Sequence, residues 1–232
     1  MMYPNIIAVS GYKNAGKDTT ASMLRYLLNT PNCFHYYWIY QRFHNIKGKY
    51  SIISFAHPLK KTLSAMLNIP IKRFDNRDFK ENYYIYFPTL QVTNKLPDNA
   101  KILTDNKFSK AISINDMSFI QNTWISIRQL LQVFGTECMR KIFGDKIWIM
   151  TALQNQNNII ISDLRFIAEY NEVRSRKGRI IYIKRDICKP GVHASEKEVQ
   201  TLLKSNKFDY IIDNNGTLKD LFYRVKNYMK EC

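Results

Sequence analysis

Apolar residues come in short bursts along this chain, separated by stretches with helical spacing. The first burst, Ile6-Ile7-Ala8-Val9, predicts a buried strand over residues 6–10. A helix is predicted over residues 17–29, and Pro31 ends it. Residues 50–55 (YSIISF) predict a second strand that runs straight into Ala56-His57-Pro58. Pro58 suits the first turn of a helix. Leu59, Leu63, Met66 and Leu67 then share one face as far as Ile69-Pro70. Residues 71–123 keep no period. Charge crowds residues 74–81, tyrosines follow at 83, 84 and 86, and a polar stretch runs to Asn122. This is too long for an ordinary loop. It reads as an insertion covering a substrate, with little structure of its own or a short hairpin. Residues 124–143 return to helical spacing through Ile127, Leu130, Leu131 and Phe134. Gly135 interrupts that helix, which then continues with a break near Gly144-Asp145. Three further bursts, residues 158–162, 179–184 and 208–213, predict strands. The helices after them run to about residue 176, over 195–203 and over 217–230. Strands alternating with helices imply βαβ units, right-handed crossovers and a parallel sheet.

Composition narrows the class. A chain of 232 residues with 45% hydrophobic content suits one large domain, or one domain with insertions. No apolar run approaches the roughly 18 residues of a membrane span, and the N-terminus lacks a signal-peptide pattern. Cys33, Cys138, Cys188 and Cys232 are scattered without a C-x-x-C pair. They read as free thiols of a cytoplasmic protein, with no zinc site expected. Basic residues outnumber acidic ones 35 to 19, a formal charge of +16. That balance favours anionic partners. It allows non-specific nucleic-acid binding, and it is also what a nucleotide enzyme's phosphate-binding cations or an AT-rich coding sequence would give. The cations are spread along the chain, which disfavours a dedicated nucleic-acid tract. The aromatic and basic residues 32–49 either stack bases or pack their rings on the domain.

The chemistry begins between the first strand and the first helix. Gly11 is followed five residues later by Gly16-Lys17, so G-x-x-x-x-G-K sits between strand and helix. That context suits a phosphate-binding loop: backbone amides curl round one anion, the helix N-terminus adds positive charge, and Lys17 reaches the β- and γ-phosphates. The usual Ser or Thr after the lysine is here Asp18, with Thr19 next.

Ligands of open parallel sheets bind beyond the carboxyl ends of the strands. Those ends here carry Ser10-Gly11, His57, Asp163, Arg185 and Asp213-Asn214. Asp163 reads as a group that holds Mg²⁺ through water or accepts a proton, or as a helix N-cap. Arg165 and Arg185 face the same mouth and suit the neutralisation of a phosphoryl group in transfer. His193 is a weak general-base candidate, and Ser195-Glu196 reads equally as a helix start.

Taken together, these residues resemble the bacteriophage-type deoxynucleoside monophosphate kinases, P-loop enzymes of the adenylate-kinase-like group. The resemblance is carried by Gly16-Lys17-Asp18-Thr19, by Phe55-Ala56-His57-Pro58-Leu59-Lys60, and by Arg128 through Gln132 with Gly135-Thr136-Glu137, Arg140 and Trp148. It continues through Ser162 to Phe166 with Glu169, His193-Ala194-Ser195-Glu196, and Asp209 through Gly216. It implies a three-layer α/β fold whose five-stranded parallel sheet has the order 2-3-1-4-5, with helices on both faces and an irregular acceptor-binding insertion. The implied reaction is ATP-dependent phosphorylation of a deoxynucleoside monophosphate to the diphosphate.

Within that resemblance Asp18 is a usual residue. Gly11, Asn14, Ala15, Gly16, Lys17, Asp18 and Thr19 would bind ATP, with Asn214 and Gly216 in a turn against the adenine. Mg²⁺ would be held by Asp18, Thr19 and Asp163, or mainly by waters and phosphates. Lys17, Asp163, Arg165 and Arg185 would carry the chemistry. His57, Lys60, Arg128, Gln132, Glu137 and Arg140 would bind the acceptor. Related kinases often have Asp where this chain has His57. Closure of the 71–123 and 185–194 segments would exclude water. A homodimer and the host cytoplasm fit the family. Two other readings stay open: a P-loop kinase acting on another phosphorylated acceptor, as in phosphomevalonate kinase, and a nucleic-acid-associated P-loop ATPase.

Overall fold

The computed structural model describes residues 4–30, 48–87, 89–102, 122–154, 156–189, 191, 194–205 and 207–231. The chain divides into two compact units, Met1–Phe55 with Ile149–Cys232, and Ala56–Trp148. Most of the 32–49 segment lies outside the described residues.

The first unit is built on five parallel strands: β1 (Ile6–Ser10), β2 (Ser51–Ile53), β6 (Ile159–Leu164), β7 (Arg179–Lys184) and β8 (Tyr210–Asp213). Their spatial order is β2-β6-β1-β7-β8, which is the expected order 2-3-1-4-5 within this sheet. All the pairings are parallel, and β1 lies between β6 and β7. Both faces are covered, so the strands read as unbroken apolar runs rather than as alternations. Ile7, Val9, Ile160, Ile181 and Ile212 join one core with the helices Lys17–Asn29 and Leu218–Glu231. Ile6, Ala8, Ile159, Ile161 and Ile180 join the opposite core with Tyr170, Val173 and Leu202 from the helices Ile167–Ser175 and Ala194–Lys204. The result is three layers.

The second unit has more structure than its sequence promised. After the helix Ala56–Leu67 come a 3-10 turn Ile71–Asp75 and a short helix Arg77–Asn82. Asn76 caps that helix by accepting from the Phe79 amide. The strands β3 (Tyr84–Tyr86) and β4 (Gln91–Thr93) form an antiparallel hairpin, and β5 (Trp124–Ser126) pairs with β3 on its other side. The helix expected from residue 124 therefore starts at Ile127. Ser126 and Gln129 close a reciprocal capping box there. From Val133 to Arg140 the helix widens to π geometry. A Cβ at Gly135 would come within 2.8 Å of Leu59 Cδ2, so the widened turn packs closely against the Leu59 side chain, which would have to shift to admit a larger residue. Trp148 Nε1 donates to the Gly135 carbonyl at 2.9 Å. Met66, expected on the buried face, is exposed. Residues 103–121 of the insertion lie outside the described residues. Among the described residues no helix is long and apolar enough to cross a membrane.

Candidate active site

Between β1 and the helix Lys17–Asn29 the backbone takes conformations that few side chains tolerate. Gly11 has φ +146°, and a Cβ there would stand 2.8 Å from the Ile183 carbonyl oxygen. Asn14 is left-handed at φ 66°, and Gly16 has φ 99°. A curl of this kind turns successive amides toward one anion, with the positive end of a helix behind them. Lys17 opens that helix, is 6% exposed, and donates to the carbonyls of Gly11 (2.8 Å) and Tyr12 (2.7 Å). Burial pushes its ammonium down to about 8; Arg165 adds to the shift, while Glu196, Asp18 and Asp163 oppose it. Asp18 is exposed in the first turn, and Thr19 is partly buried beside it.

Two further elements grip the loop. Asn214, buried just after β8, donates from Nδ2 to the Ala15 carbonyl at 2.7 Å. Arg185, just after β7, donates to the Asn14 carbonyl at 3.3 Å. Gly216 lies in the exposed turn that follows, where Thr217 and Asp220 start the last helix through a 2.7 Å hydroxyl-to-carboxylate bond. Arg224 of that helix pairs with Asp213. The loop, Asn214 and Arg185 thus meet at the carboxyl end of the sheet, as the pattern of strand ends suggested.

Asp163 does not follow its strand; it lies inside it. β6 runs on to Leu164, and its register against β1 slips between Ala8 and Ser10. The extra residue is an irregularity of the kind that re-aims a side chain. The next helix begins only at Ile167, so Asp163 is not a helix cap. Its carboxylate accepts from Ser54 Oγ at 2.6 Å and from the Phe55 amide at 2.8 Å. Arg165 is half-exposed, and its Nη1 donates to Glu196 Oε1 at 2.6 Å. Glu169 Oε2 accepts from the Arg165 and Phe166 amides at 2.8 and 3.0 Å. Tyr12 and Tyr182 stand edge to face at 6.2 Å. Burial raises both phenols, and the nearby Glu196 carboxylate adds to the effect.

The second unit carries the predicted acceptor residues. Arg128 Nε and Nη2 both reach Glu81 Oε1, at 2.8 and 2.6 Å. Arg140 is buried at the end of the π segment. Glu137 pairs with Lys141 one turn on, at 2.8 Å. Gln132 is partly buried, while its neighbour Gln129 is the buried capping residue. Lys60 pairs with Asp75 at 2.8 Å, and His57 is exposed in the first turn of its helix. His193 lies outside the described residues.

A sequence model of the deoxynucleotide monophosphate kinase family matches residues 5–225. This chain belongs to the deoxynucleotide monophosphate kinase family. Deoxynucleotide monophosphate kinase of Escherichia phage RB69 is 22% identical over 269 residues, covering 97% of this chain and 99% of that protein. The enzyme of the same name from Enterobacteria phage T4 is 23% identical over 266 residues, covering 97% and 98%. Among solved structures, dephospho-CoA kinase from Campylobacter jejuni aligns over 98% of this chain and 97% of its own, with 14% identity. Its TM-score of 0.34 is too low to bear on the fold.

The chain is therefore a phosphotransferase, and its residues can be tested against the metal such kinases use. Among the described residues no group of three or more His, Cys, Asp or Glu could hold a metal ion. Asp18 offers one exposed carboxylate, Thr19 a hydroxyl, and Asp163 a carboxylate that already accepts two hydrogen bonds. That set does not fit a resident metal. It would suit a Mg²⁺ ion that comes with a bound nucleotide and keeps most of its waters.

In the sequence Phe55 and Glu169 were named as motif residues without an assigned role, and Ser54 and Glu81 were not singled out. Ser54 and the Phe55 amide aim Asp163, Glu169 fixes the turn at Arg165, and Glu81 holds Arg128. Glu169, three residues after the Phe166 that precedes its helix, was readable as a first-turn acceptor. Glu81 carried no local signal.

The lowered proton affinity of Lys17 has a sign that can be checked. Between pH 8 and the ordinary value of 10.5 the unfolded chain holds a proton at this lysine that the native chain has lost. Stability therefore rises with pH across that window. In EDTA and without nucleotide, wild type is expected to gain stability from pH 8 to 10 relative to Lys17→Met. Chemical denaturation at several pH values measures the difference; parallel curves would place Lys17 in water.

Proposed function

We propose that this kinase transfers the γ-phosphoryl group of ATP to a deoxynucleoside monophosphate, giving the deoxynucleoside diphosphate and ADP. The observation that carries this reading is Lys17. It is a buried cation facing the inner carbonyls of a glycine-bounded loop at a helix N-terminus, in a chain that matches its family from residue 5 to 225. On this reading the loop amides of residues 11–19 take the phosphates of ATP, and Lys17 leaves its two carbonyls for the β- and γ-oxygens. Mg²⁺ on the triphosphate, near Asp18, Thr19 and Asp163, would neutralise the phosphate charge. Arg165 and Arg185 neutralise the group in transfer, where positioning and charge supply most of the rate. Asn214 and Gly216 flank the adenine. In the second unit Arg128 and Arg140 take the monophosphate's phosphate. Gln132, Glu137, His57 and Lys60 contact the rest of the acceptor. The product would feed DNA synthesis in the host cytoplasm.

The test is a panel of all common NMPs and dNMPs, with phosphomevalonate alongside, assayed with ATP and Mg²⁺ by chromatographic detection of product. Formation of at least one deoxynucleoside diphosphate is expected, faster than any ribonucleotide counterpart. Phosphorylation of phosphomevalonate alone would overturn the nucleotide acceptor.

A further inference from the structure

One buried charge has no task in this scheme. Glu196 stands in the first turn of the helix Ala194–Lys204 and is 5% exposed. Its Oε1 accepts from Arg165, while its Oε2 is buried with no hydrogen-bond partner among the described residues. The pairing is single on both sides. Among the described residues Arg165 uses one nitrogen of its fork, and its Nε and Nη2 make no hydrogen bond.

A two-pronged Arg–carboxylate pair is the stronger arrangement, and this pair does not use it. A buried acceptor left unused works against the fold. Arg165 is also fixed from behind, since its amide and that of Phe166 bind Glu169 Oε2. Main chain and one guanidinium nitrogen are thus held, and the remaining N–H edge is kept for something else. Glu196 is close enough to Lys17, Tyr12 and Tyr182 to favour the protonated form of all three. Leu164 pairs with Ser10 at the ends of β6 and β1, so Arg165 leaves the sheet beside Gly11, where the phosphate loop begins, and the pair stands at the mouth of that loop.

We propose that Glu196 is a positioning residue for phosphoryl transfer, holding the Arg165 fork so that its free edge meets the transferring group. This rests on the reading that ATP is the donor. The residue accelerates transfer without adding to the affinity of the ground state, and it does so at some cost to the stability of the free enzyme.

Glu196→Ala and Glu196→Gln test it. Steady-state kcat and KM are measured with ATP and the preferred monophosphate, together with Tm and calorimetric affinity for a non-hydrolysable ATP analogue. Glu196→Ala is expected to lower kcat about 100-fold, and Glu196→Gln, which keeps one acceptor oxygen, about tenfold. Analogue affinity stays within about threefold of wild type in both, as for a group acting only in the transition state. The Tm of Glu196→Gln lies within about 2 °C of wild type or above it. A merely structural pair would give a lower Tm with kcat unchanged, and that pattern overturns the proposal. So does loss of analogue affinity in step with kcat. If Glu196→Ala does not fold, Glu196→Gln carries the test alone. Wild type that phosphorylates no monophosphate but binds the analogue sinks the functional reading first, and this inference with it.

Discussion

Lys17→Ala is expected to lower turnover with every monophosphate by roughly 10³-fold while leaving the fold intact. The two halves of that expectation have separate grounds. Lys17 is buried at the one place where the loop curls and the helix begins, and no other lysine approaches the Gly11 and Tyr12 carbonyls among the described bonds. On the proposed reading, a cation there would neutralise charge that grows on the β- and γ-oxygens of ATP during transfer, where water is a poor substitute. The fold, by contrast, does not depend on it. Burial already works against the ammonium, so removing the charge offsets the two lost hydrogen bonds. A coupled spectrophotometric assay and a thermal melt measure both. Near-normal turnover would remove the loop from the active site. Loss of activity together with a collapse of Tm would make Lys17 a structural residue.

The same contrast explains how much could be read beforehand. β1, the helix Lys17–Asn29 and β7 have the bounds expected of them, because each is a dense local signal: an apolar burst or an amphipathic run closed by glycine or a polar turn. The phosphate loop was equally local. What escaped depends on partners far off in the chain. Trp124–Ser126 is a strand because β3, some forty residues earlier, pairs with it; the three residues alone continue a helical period. The π turn at Val133–Arg140 is a change of hydrogen-bond register, and a hydrophobic period hardly registers it. Glu81 reaches Arg128 across 47 positions, and Glu196 reaches Arg165 across 31. Asp163 is instructive in a different way. Its type and neighbourhood were legible, but the apolar run stops at Ile161 while the strand runs on to Leu164. The bulge that aims the carboxylate is a property of pairing with β1.

Gly16→Ala is expected to cut kcat/KM for ATP by roughly 100-fold and, unlike Lys17→Ala, to lower Tm as well. Two independent costs meet at this position. The backbone has φ +99°, a conformation that an L side chain rarely adopts. The new methyl would also stand 2.4 Å from Asn214 Nδ2. That atom is the end of a side chain, so in principle it can move aside. It is buried, however, and moving it breaks the 2.7 Å bond to the Ala15 carbonyl that ties β8's end to the loop. Either the loop keeps its curl and loses Asn214, or Asn214 stays and the amides turn away from the phosphate. Asn214→Ala separates these outcomes. Alone it is expected to cost less than Gly16→Ala, because the backbone strain is absent. In the double variant the clash is gone, so its effect should fall short of the sum of the single ones. Additive effects would mean that the loop and the turn after β8 act independently, and that Asn214 does not help to hold the phosphate-binding curl.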